Sequence, residues 1–394
     1  MLACFPLHNK EITSQLSKKI WEANTKPWDI PFFDIKEYFG EKIALFNVFM
    51  GHYSLWLVIP SIVGLAFQLV VLGTFNLSSP VLPFYSVIIT LWGIVMLEYW
   101  KRENAKIALF WGVTQFEERE LDRSEFTGEP IKSVIDGSDM LYFAPHEFRA
   151  RLISSRVVIF MMVFILLGVT TGIYVIRFVL AQSIGSSASL VSSFMFTVQI
   201  TLFNIMYQSV AVFVTNQENQ RTDTEYEDSL IVKLFIFQFI NSYVSFFFLA
   251  FMAPYLPVPA NTPANYVGEC GAPTCMEPLA LNLAIIYGTR LTLTNFLDIY
   301  IPYLYYKWKI KRETEGVDPS KELTPPEKDY MLMEYNTIIE SIQKYADVAI
   351  QYGYSMLFIT ALPCATFFCL ISNYFKVKFS AWKLITVSLT HFVY

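Results

Sequence analysis

The stretch ISSRVVIFMMVFILLGVTTGIYVIRFVLA, residues 153–181, contains only two charged side chains, Arg156 near its start and Arg177 near its end. A helix needs about 20 mostly apolar residues to cross the hydrocarbon core of a bilayer. These residues therefore predict a membrane-spanning helix. Arg177 is close enough to one end that its charged head is expected to snorkel into the headgroup layer.

Similar apolar stretches recur along the rest of the chain. Five more are long enough to span, at residues 53–75, 83–99, 189–215, 230–255 and 278–305. The tail is also apolar but is interrupted by Pro363, so it predicts two shorter segments, 347–362 and 365–375, and leaves open a hairpin that enters from one side. The predicted fold is an all-α, polytopic transmembrane bundle with about eight membrane segments.

The composition supports a membrane protein. Of the 394 residues, 54% are hydrophobic and 16% are charged, whereas soluble domains carry about 25% charged residues. So few charged side chains could not cover the surface of two or three soluble domains. The net charge of −5 argues against a nucleic-acid partner.

Basic residues occur in alternate connections between the predicted spans. Six Lys and Arg precede the first span, nine lie in residues 101–156, and six lie in residues 307–328. The intervening connections near 77–82, 182–188 and 256–277 contain none. The positive-inside rule then places the amino terminus in the cytosol. The membrane itself is expected to be either the plasma membrane or an endomembrane.

This orientation predicts a domain organisation. Residues 1–52 form a cytosolic segment with a pre-membrane amphipathic helix, and residues 53–394 form the transmembrane domain with cytosolic loops at about 100–152, 216–229 and 307–344. Cys270 and Cys275 lie in a connection predicted to be outside, where an oxidising compartment would allow a local disulfide. Two free thiols are the alternative.

Motifs of common catalytic sites are missing from the sequence. The four histidines are scattered without an HExxH spacing, and neither a phosphate-binding loop nor a GxSxG elbow occurs. The chain is therefore predicted not to be an enzyme and to require no cofactor. An enzyme would have to act on a lipid through carboxylates inside the membrane.

The predicted sixth span carries the most polar residues. Thr294 and Asn295 share a helical face with Asp298, Arg290 and Thr292 lie nearby, and Gly288 is a candidate hinge. Ionisable groups inside a span usually mark a function or a buried pair. We weigh a polar pathway against a carboxylate that is simply hydrated near the cytosolic end.

Neutral polar residues in the fourth and fifth spans extend this pattern. They either join helices or line a water-filled groove together with Arg290 and Thr292. Lys233, near the inner end of the fifth span, is expected to snorkel. The groove-lining candidates in these two spans are Asn204, Gln208, Asn241, Ser242 and Tyr243.

Several short segments lie in order along the chain: IKEYFGEKIAL at 35–45, LW at 91–92, LEYWKR at 97–102, TEYEDSL at 224–230, QFINSY at 238–243, QYG at 351–353 and ISN at 371–373. Together they resemble the anoctamins, a family of calcium-activated chloride channels and phospholipid scramblases. The resemblance extends over about residues 30–385 and implies a homodimer with a polar groove in each subunit. The chain departs from the family by its short amino-terminal part and its end at Tyr394, so we expect a relative shortened at both ends or an incomplete gene product.

The resemblance also implies a calcium site on the sixth to eighth helices. Carried over position by position, Asp298 and Asp347 remain acidic, with Thr294 or Asn295 at an amide position. Lys344, Lys376 and Ser380 stand where the family has acids. Calcium needs six to eight oxygen ligands, and ammonium groups would repel it, so we expect calcium to bind weakly or not at all.

Two consequences of this degraded site are weighed. A lysine could replace the missing cation and give calcium-independent activity, or the site could have decayed in an inactive subunit. The leading hypothesis is passive transport of ions, phospholipids or both along a groove formed mostly by spans four to six. Its partners would be membrane lipids and chloride or other small ions, in a homodimer or a larger complex. The alternative is a non-transporting structural subunit or a membrane tether.

Overall fold

The structure is a computed structural model that carries side chains. It describes residues 7–21, 25–74, 80–113, 120–132, 137, 139–184, 187–256, 275–289, 292, 295–314, 324–386 and 388–390.

Helices dominate the described part of the chain, which confirms the all-α membrane fold. The twelve α-helices among the described residues are α1 (Lys10–Trp21), α2 (Phe32–Phe39), α3 (Glu41–Thr74), α4 (Leu82–Trp111), α5 (Pro145–Ile184), α6 (Ser187–Glu218), α7 (Asp223–Phe247), α8 (Met276–Thr289), α9 (Asn295–Glu313), α10 (Pro325–Tyr330), α11 (Thr337–Leu357) and α12 (Ala365–Thr386). A π-helical turn at Phe248–Met252 and a 3₁₀ turn at Ala253–Tyr255 extend α7. Four short strands, β1 (Glu129–Lys132) with β2 (Asp139–Tyr142) and β3 (Met333–Tyr335) with β4 (Ser388–Thr390), form one antiparallel and one parallel pair.

Five helices in the described part are long and apolar enough to cross a membrane. They correspond to the first five spans predicted from sequence: Glu41–Thr74, Leu82–Trp111, Pro145–Leu180, Ser187–Glu218 and Asp223–Tyr255. The helices extend beyond the apolar stretches because their polar ends continue the helix outside the hydrocarbon. The long apolar runs were therefore sufficient to locate these elements.

The predicted sixth span corresponds to two helices in the structure. α8 ends at Thr289, one residue after Gly288, and α9 begins at Asn295. Of the five residues between them, only Thr292 is described, in a π-helical turn. Neither helix meets the length and hydropathy required of a span, since α8 has 14 residues and α9 ends in a basic run.

The chain divides into two compact units. One contains residues 1–102 and 283–394, and the other contains residues 103–282. The predicted boundary between residues 52 and 53 concerns membrane topology, not compactness, and it stays a prediction.

In the unit of residues 103–282, α5, α6 and α7 pack against one another. Tyr207 of α6 stacks on Phe237 of α7 with ring centroids 3.7 Å apart. The Tyr174 hydroxyl of α5 donates to the Ser245 carbonyl at 2.8 Å. Thr222 caps α7 by accepting a hydrogen bond from the Glu225 amide. Aromatic stacking and buried polar contacts thus both join the three helices.

In the other unit, α3 packs against the hairpin of α11 and α12. A close approach occurs at Gly64, where an added Cβ would lie 2.5 Å from the Tyr85 hydroxyl and 3.0 Å from Thr366 Oγ1, and in contact with the Pro363 carbonyl oxygen. The Tyr85 hydroxyl itself donates to that carbonyl at 3.1 Å. Glycine at this position lets α3 approach the turn between α11 and α12.

The expectation that Arg177 and Lys233 snorkel was wrong. Arg177 is 8% exposed and donates to the Ser189 hydroxyl, while Lys233 is 6% exposed and ion-paired with Glu218. Polar partners on neighbouring helices hold both side chains inside the protein. Neither side chain therefore needs to reach the headgroup layer.

Candidate functional site

Facing polar side chains connect α11 and α12 along their length. At one end, Lys383 Nζ lies 3.0 Å from Glu340 Oε2. One turn further, Lys344 Nζ donates to Ser380 Oγ at 2.6 Å. The next pair is Asp347 and Lys376, with 3.7 Å between Oδ2 and Nζ. We refer to these three pairs, and the two described next, as the α11–α12 ladder.

The remaining two pairs of the ladder are uncharged. Gln351 Nε2 donates to Asn373 Oδ1 at 3.2 Å. Ser355 Oγ lies 3.1 Å from Cys369 Sγ. Tyr287 of α8 joins this end of the ladder, with its hydroxyl 3.0 Å from Ser355 Oγ. The ladder therefore changes from charged to neutral along the hairpin.

Helical spacing explains why the pairs align. On α11 the ladder residues follow one another by three or four positions, and on α12 they do the same in reverse order. Residues three and four apart share a helix face. An antiparallel hairpin then brings each residue opposite its partner.

Lys344 is held by more than Ser380. Its Nζ donates to the Tyr335 hydroxyl at 3.1 Å and lies 5.7 Å from the ring centroid of Phe46. Burial, followed by the charge of Glu340, raises the pKa of Tyr335 above its ordinary value. The neutral phenol and the aromatic faces are compatible with an ammonium group, so the positive charge of Lys344 is stabilised where it lies.

The ladder contains four residues of the calcium site implied by the family resemblance. Lys376 contacts Asp347, and Lys344 contacts Ser380 in the neighbouring pair. The described residues contain no group of three or more His, Cys, Asp or Glu side chains arranged to hold a metal ion. The expected weakness of calcium binding stays a prediction.

The other predicted residues of that site are described in part or not at all. Arg290 and Thr294 lie outside the described residues. Asn295 and Asp298 belong to α9, but their side chains also lie outside the described part. Thr292 is exposed, and its hydroxyl donates to the Gly288 carbonyl at 2.8 Å.

The hinge and disulfide candidates are described only in part. An added Cβ at Gly288 would meet no atom of the described residues within 4 Å, so no contact with them requires glycine there. Cys275 is disulfide-bonded, but Cys270 lies outside the described residues. The hinge and the pairing of Cys270 with Cys275 stay predictions.

Amide side chains form a buried junction between α6 and α7. Asn241 Oδ1 accepts from Gln199 Nε2 at 2.8 Å. Asn241 Nδ2 donates to Asn204 Oδ1 at 2.8 Å and to the Ile200 carbonyl at 3.0 Å. These contacts favour the helix-joining alternative for Asn241 and Asn204. Of the other groove candidates, Ser242 and Tyr243 are buried, and Gln208 is half-buried.

We expect Asn241→Leu to lower the free energy of unfolding by about 1–3 kcal/mol, because it leaves Gln199 without its buried acceptor. Denaturation in mixed detergent micelles would measure the change. The matched control is Asn204→Leu, which removes one contact of the same junction at a half-buried position. Equal losses from the two variants would contradict a junction centred on Asn241.

One polar cluster was missed from the sequence. Lys233 Nζ lies 2.7 Å from Glu218 Oε2, 2.5 Å from Ser229 Oγ and 3.2 Å from Thr215 Oγ1. Glu218 is fully buried and Lys233 is 6% exposed. The presence of an acid at the end of one span and a lysine near the start of the next could have indicated this pair.

Comparison with known proteins identifies the family. The family model described as "Anoctamin: Calcium-activated chloride channel" matches residues 35–389. Anoctamin-7 of Mus musculus is 26% identical over 97% of this chain and 53% of its own length. Anoctamin-4 of Homo sapiens is 26% identical over 98% and 48%, and Anoctamin-3 of Homo sapiens is 25% identical over 89% and 42%.

The chain thus spans about half the length of the curated relatives it matches. The family match includes every segment that carried the resemblance in the sequence and agrees closely with the predicted range of about residues 30–385, which confirms that prediction. With nearly the whole chain covered by one family model, the protein is an integral, multi-pass membrane protein that belongs to the anoctamin family.

Proposed function

We propose that this chain supports passive transport of ions, phospholipids or both along a polar groove, with weak or no dependence on calcium. Family membership supports transport, because the matching family model is described as a calcium-activated chloride channel. The groove residues proposed on spans four to six are those named from the sequence. Asn204 and Asn241, which belong to the amide junction, would act by holding the helices of the groove wall together.

The proposed orientation places the amino terminus in the cytosol. Its support is the alternation of basic and non-basic connections, which the five spans of the structure preserve. Membrane lipids and chloride or other small ions are the proposed substrates. A homodimer in the plasma membrane or an endomembrane is the proposed assembly.

The contact between Asp347 and Lys376 is the observation on which calcium independence rests. Lys376 Nζ lies 3.7 Å from Asp347 Oδ2, and the two side chains are 16% and 35% exposed. An ammonium group at this distance supplies a positive charge next to the carboxylate. A calcium ion approaching Asp347 would be repelled by Lys376 and would lose a ligand to it.

The test is transport by the purified chain in vesicles. Quenching of fluorescent phospholipid by dithionite would report scrambling, and an anion-sensitive dye inside parallel vesicles would report ion flux. We expect at least one activity, at rates that differ little between calcium and chelator. No activity in either assay would support a non-transporting subunit or tether instead.

We expect Lys376→Glu to introduce calcium dependence, because it removes the positive charge and adds a carboxylate beside Asp347. Activation should require calcium at roughly 10⁻⁴ M, weaker than the sites of dedicated calcium sensors. The same vesicle assays, performed over a calcium series, would measure it.

The matched control is Lys378→Glu on the same helix. Lys378 is half-buried like Lys376, but its ammonium group lies over the ring of Tyr374. This variant makes the same charge change and should remain insensitive to calcium. Calcium dependence in both variants, or in neither, would contradict the proposed role of Lys376.

A further inference from the structure

A cavity of about 790 Å³ lies between α5 and the extension of α7. One wall runs from Leu167 to Phe178, and the other includes Phe247 and the π-helical turn at Phe248–Met252. Its volume falls within the range of about 300–1,000 Å³ typical of ligand pockets. Both walls belong to the same compact unit and to helices that are apolar enough to span a membrane.

The described lining of the cavity favours an apolar ligand. None of the described residues that line it is charged, and five are aromatic. The hydroxyl protons of Thr170 and Thr171 are donated to carbonyls one turn earlier on α5, and that of Tyr174 is donated to the Ser245 carbonyl. A lining whose described residues carry no charge, and whose hydroxyl protons are donated to carbonyls, is complementary to hydrocarbon.

The dimensions and shape of the cavity favour one class of hydrocarbon. Leu167 and Phe178 are eleven positions apart, which corresponds to about 16 Å of helix and to half of the hydrocarbon core. The wall is irregular, since the rings of Tyr174 and Phe248 are tilted by 40° and those of Phe247 and Phe251 by 22°. A flexible chain adapts to rings at such different angles more readily than a rigid planar ring system does.

A π-helical turn forms part of this wall. A π-turn shifts the side chains that follow it, and such turns occur frequently at functional sites. Here it places Phe248 and Phe251 along the cavity. The cavity lies beside the point where Phe248 of this turn packs on Tyr174 of α5, with ring centroids 4.3 Å apart.

We infer that this cavity binds one acyl chain of a membrane phospholipid as a resident ligand. The chain lies along α5 within a single leaflet, with its headgroup beyond the end of the cavity near Phe178 and Leu256. This site does not depend on transport or on calcium, since it shares no residue with the proposed groove or the α11–α12 ladder.

Photolabelling of the full chain in phosphatidylcholine vesicles would test the site. A trace phosphatidylcholine with a diazirine in the middle of its acyl chain is irradiated, and the labelled peptides are mapped. We expect label in residues 167–178 and 244–256. Label found only elsewhere would overturn the inference.

Val175→Trp should fill the cavity and reduce that label by at least about fivefold, because the indole occupies the apolar volume. The control is Val179→Trp, one turn further along α5. Val175 and Val179 are 58% and 56% exposed, but only Val175 lines the cavity. Equal labelling of the two variants would contradict the proposed site.

Two additions make every result informative. Helix content from circular dichroism and elution volume in size-exclusion chromatography would show whether Val175→Trp folds. If that variant does not fold, Thr171→Phe on the same wall of the cavity is used in its place. A photoreactive sterol is tested in parallel. Displacement of the phospholipid label by excess sterol, with sterol label in the same peptides, would overturn the assignment to an acyl chain.

Discussion

Glu218→Gln is expected to lower the free energy of unfolding by about 3–5 kcal/mol, because it leaves the buried ammonium group of Lys233 without its counter-charge. Lys233 is 6% exposed, and Glu218 Oε2 is its carboxylate partner at 2.7 Å. The hydroxyls of Ser229 and Thr215 would remain, but neutral groups replace a charge poorly. Denaturation by sodium dodecyl sulfate in mixed micelles would measure the loss.

Two further variants separate the ion pair from a general effect of substitution. Combining Glu218→Gln with Lys233→Met should recover most of the stability, since replacing both charges of a buried pair is often neutral. Glu98→Gln should have no measurable effect, because Glu98 and Lys101 form an exposed pair with 57% and 70% accessible side chains. If the double variant were no more stable than Glu218→Gln, the pair would not be the cause.

Gly64→Ala is expected to lower the free energy of unfolding of the unit that contains residues 1–102 and 283–394 by about 1–3 kcal/mol. Adding atoms to a close contact usually has a cost of this size. The added methyl group would overlap with the backbone oxygen of Pro363, which cannot rotate away as a side chain could. The same micelle denaturation would measure this change. The cost would come from moving α3 away from the turn between α11 and α12.

Gly73→Ala on the same helix is the matched control. An added Cβ at Gly73 would meet no atom within 4 Å in the described part of the chain, and alanine in a helix is more favourable than glycine by up to about 1 kcal/mol. The two substitutions should therefore change stability in opposite directions. Destabilisation of similar size at both positions would contradict the close contact at Gly64.

The sequence was a good guide to the spans because each required only a long apolar run. The five helices that meet the criteria for spans all coincide with predicted stretches. The pairing between helices was less accessible, because it depends on residues far apart in the chain. Gly64 illustrates this point, since nothing next to it in the sequence indicates that Pro363 lies against it.

The polar site was predicted in part. Resemblance to the family singled out Lys344, Asp347, Lys376 and Ser380, and the structure brings them together between α11 and α12. The resemblance could not reveal the pairs on either side of these residues, which are Glu340 with Lys383 and Gln351 with Asn373. These pairs follow from the register of the hairpin, which no local pattern specifies.

Arg177 and Lys233 show why charge position alone was misleading. A charged residue near the end of a span can reach water only if the space around it is open. In the structure, Ser189 and Glu218 lie against these side chains and keep them buried. Whether a charge snorkels or pairs thus depends on the neighbouring helix, which a single predicted span does not include.

The order of charges on the α11–α12 ladder limits how the two helices can move against each other. A slide of one helical turn in one direction would bring Lys344 opposite Lys376. The same slide in the other direction would bring Lys344 opposite Lys383. Ratchet motions of one turn are a known means of switching between states, but here each would set two positive charges against each other. The hairpin is therefore suited to move as one rigid body, with rearrangement confined to its ends or to other helices.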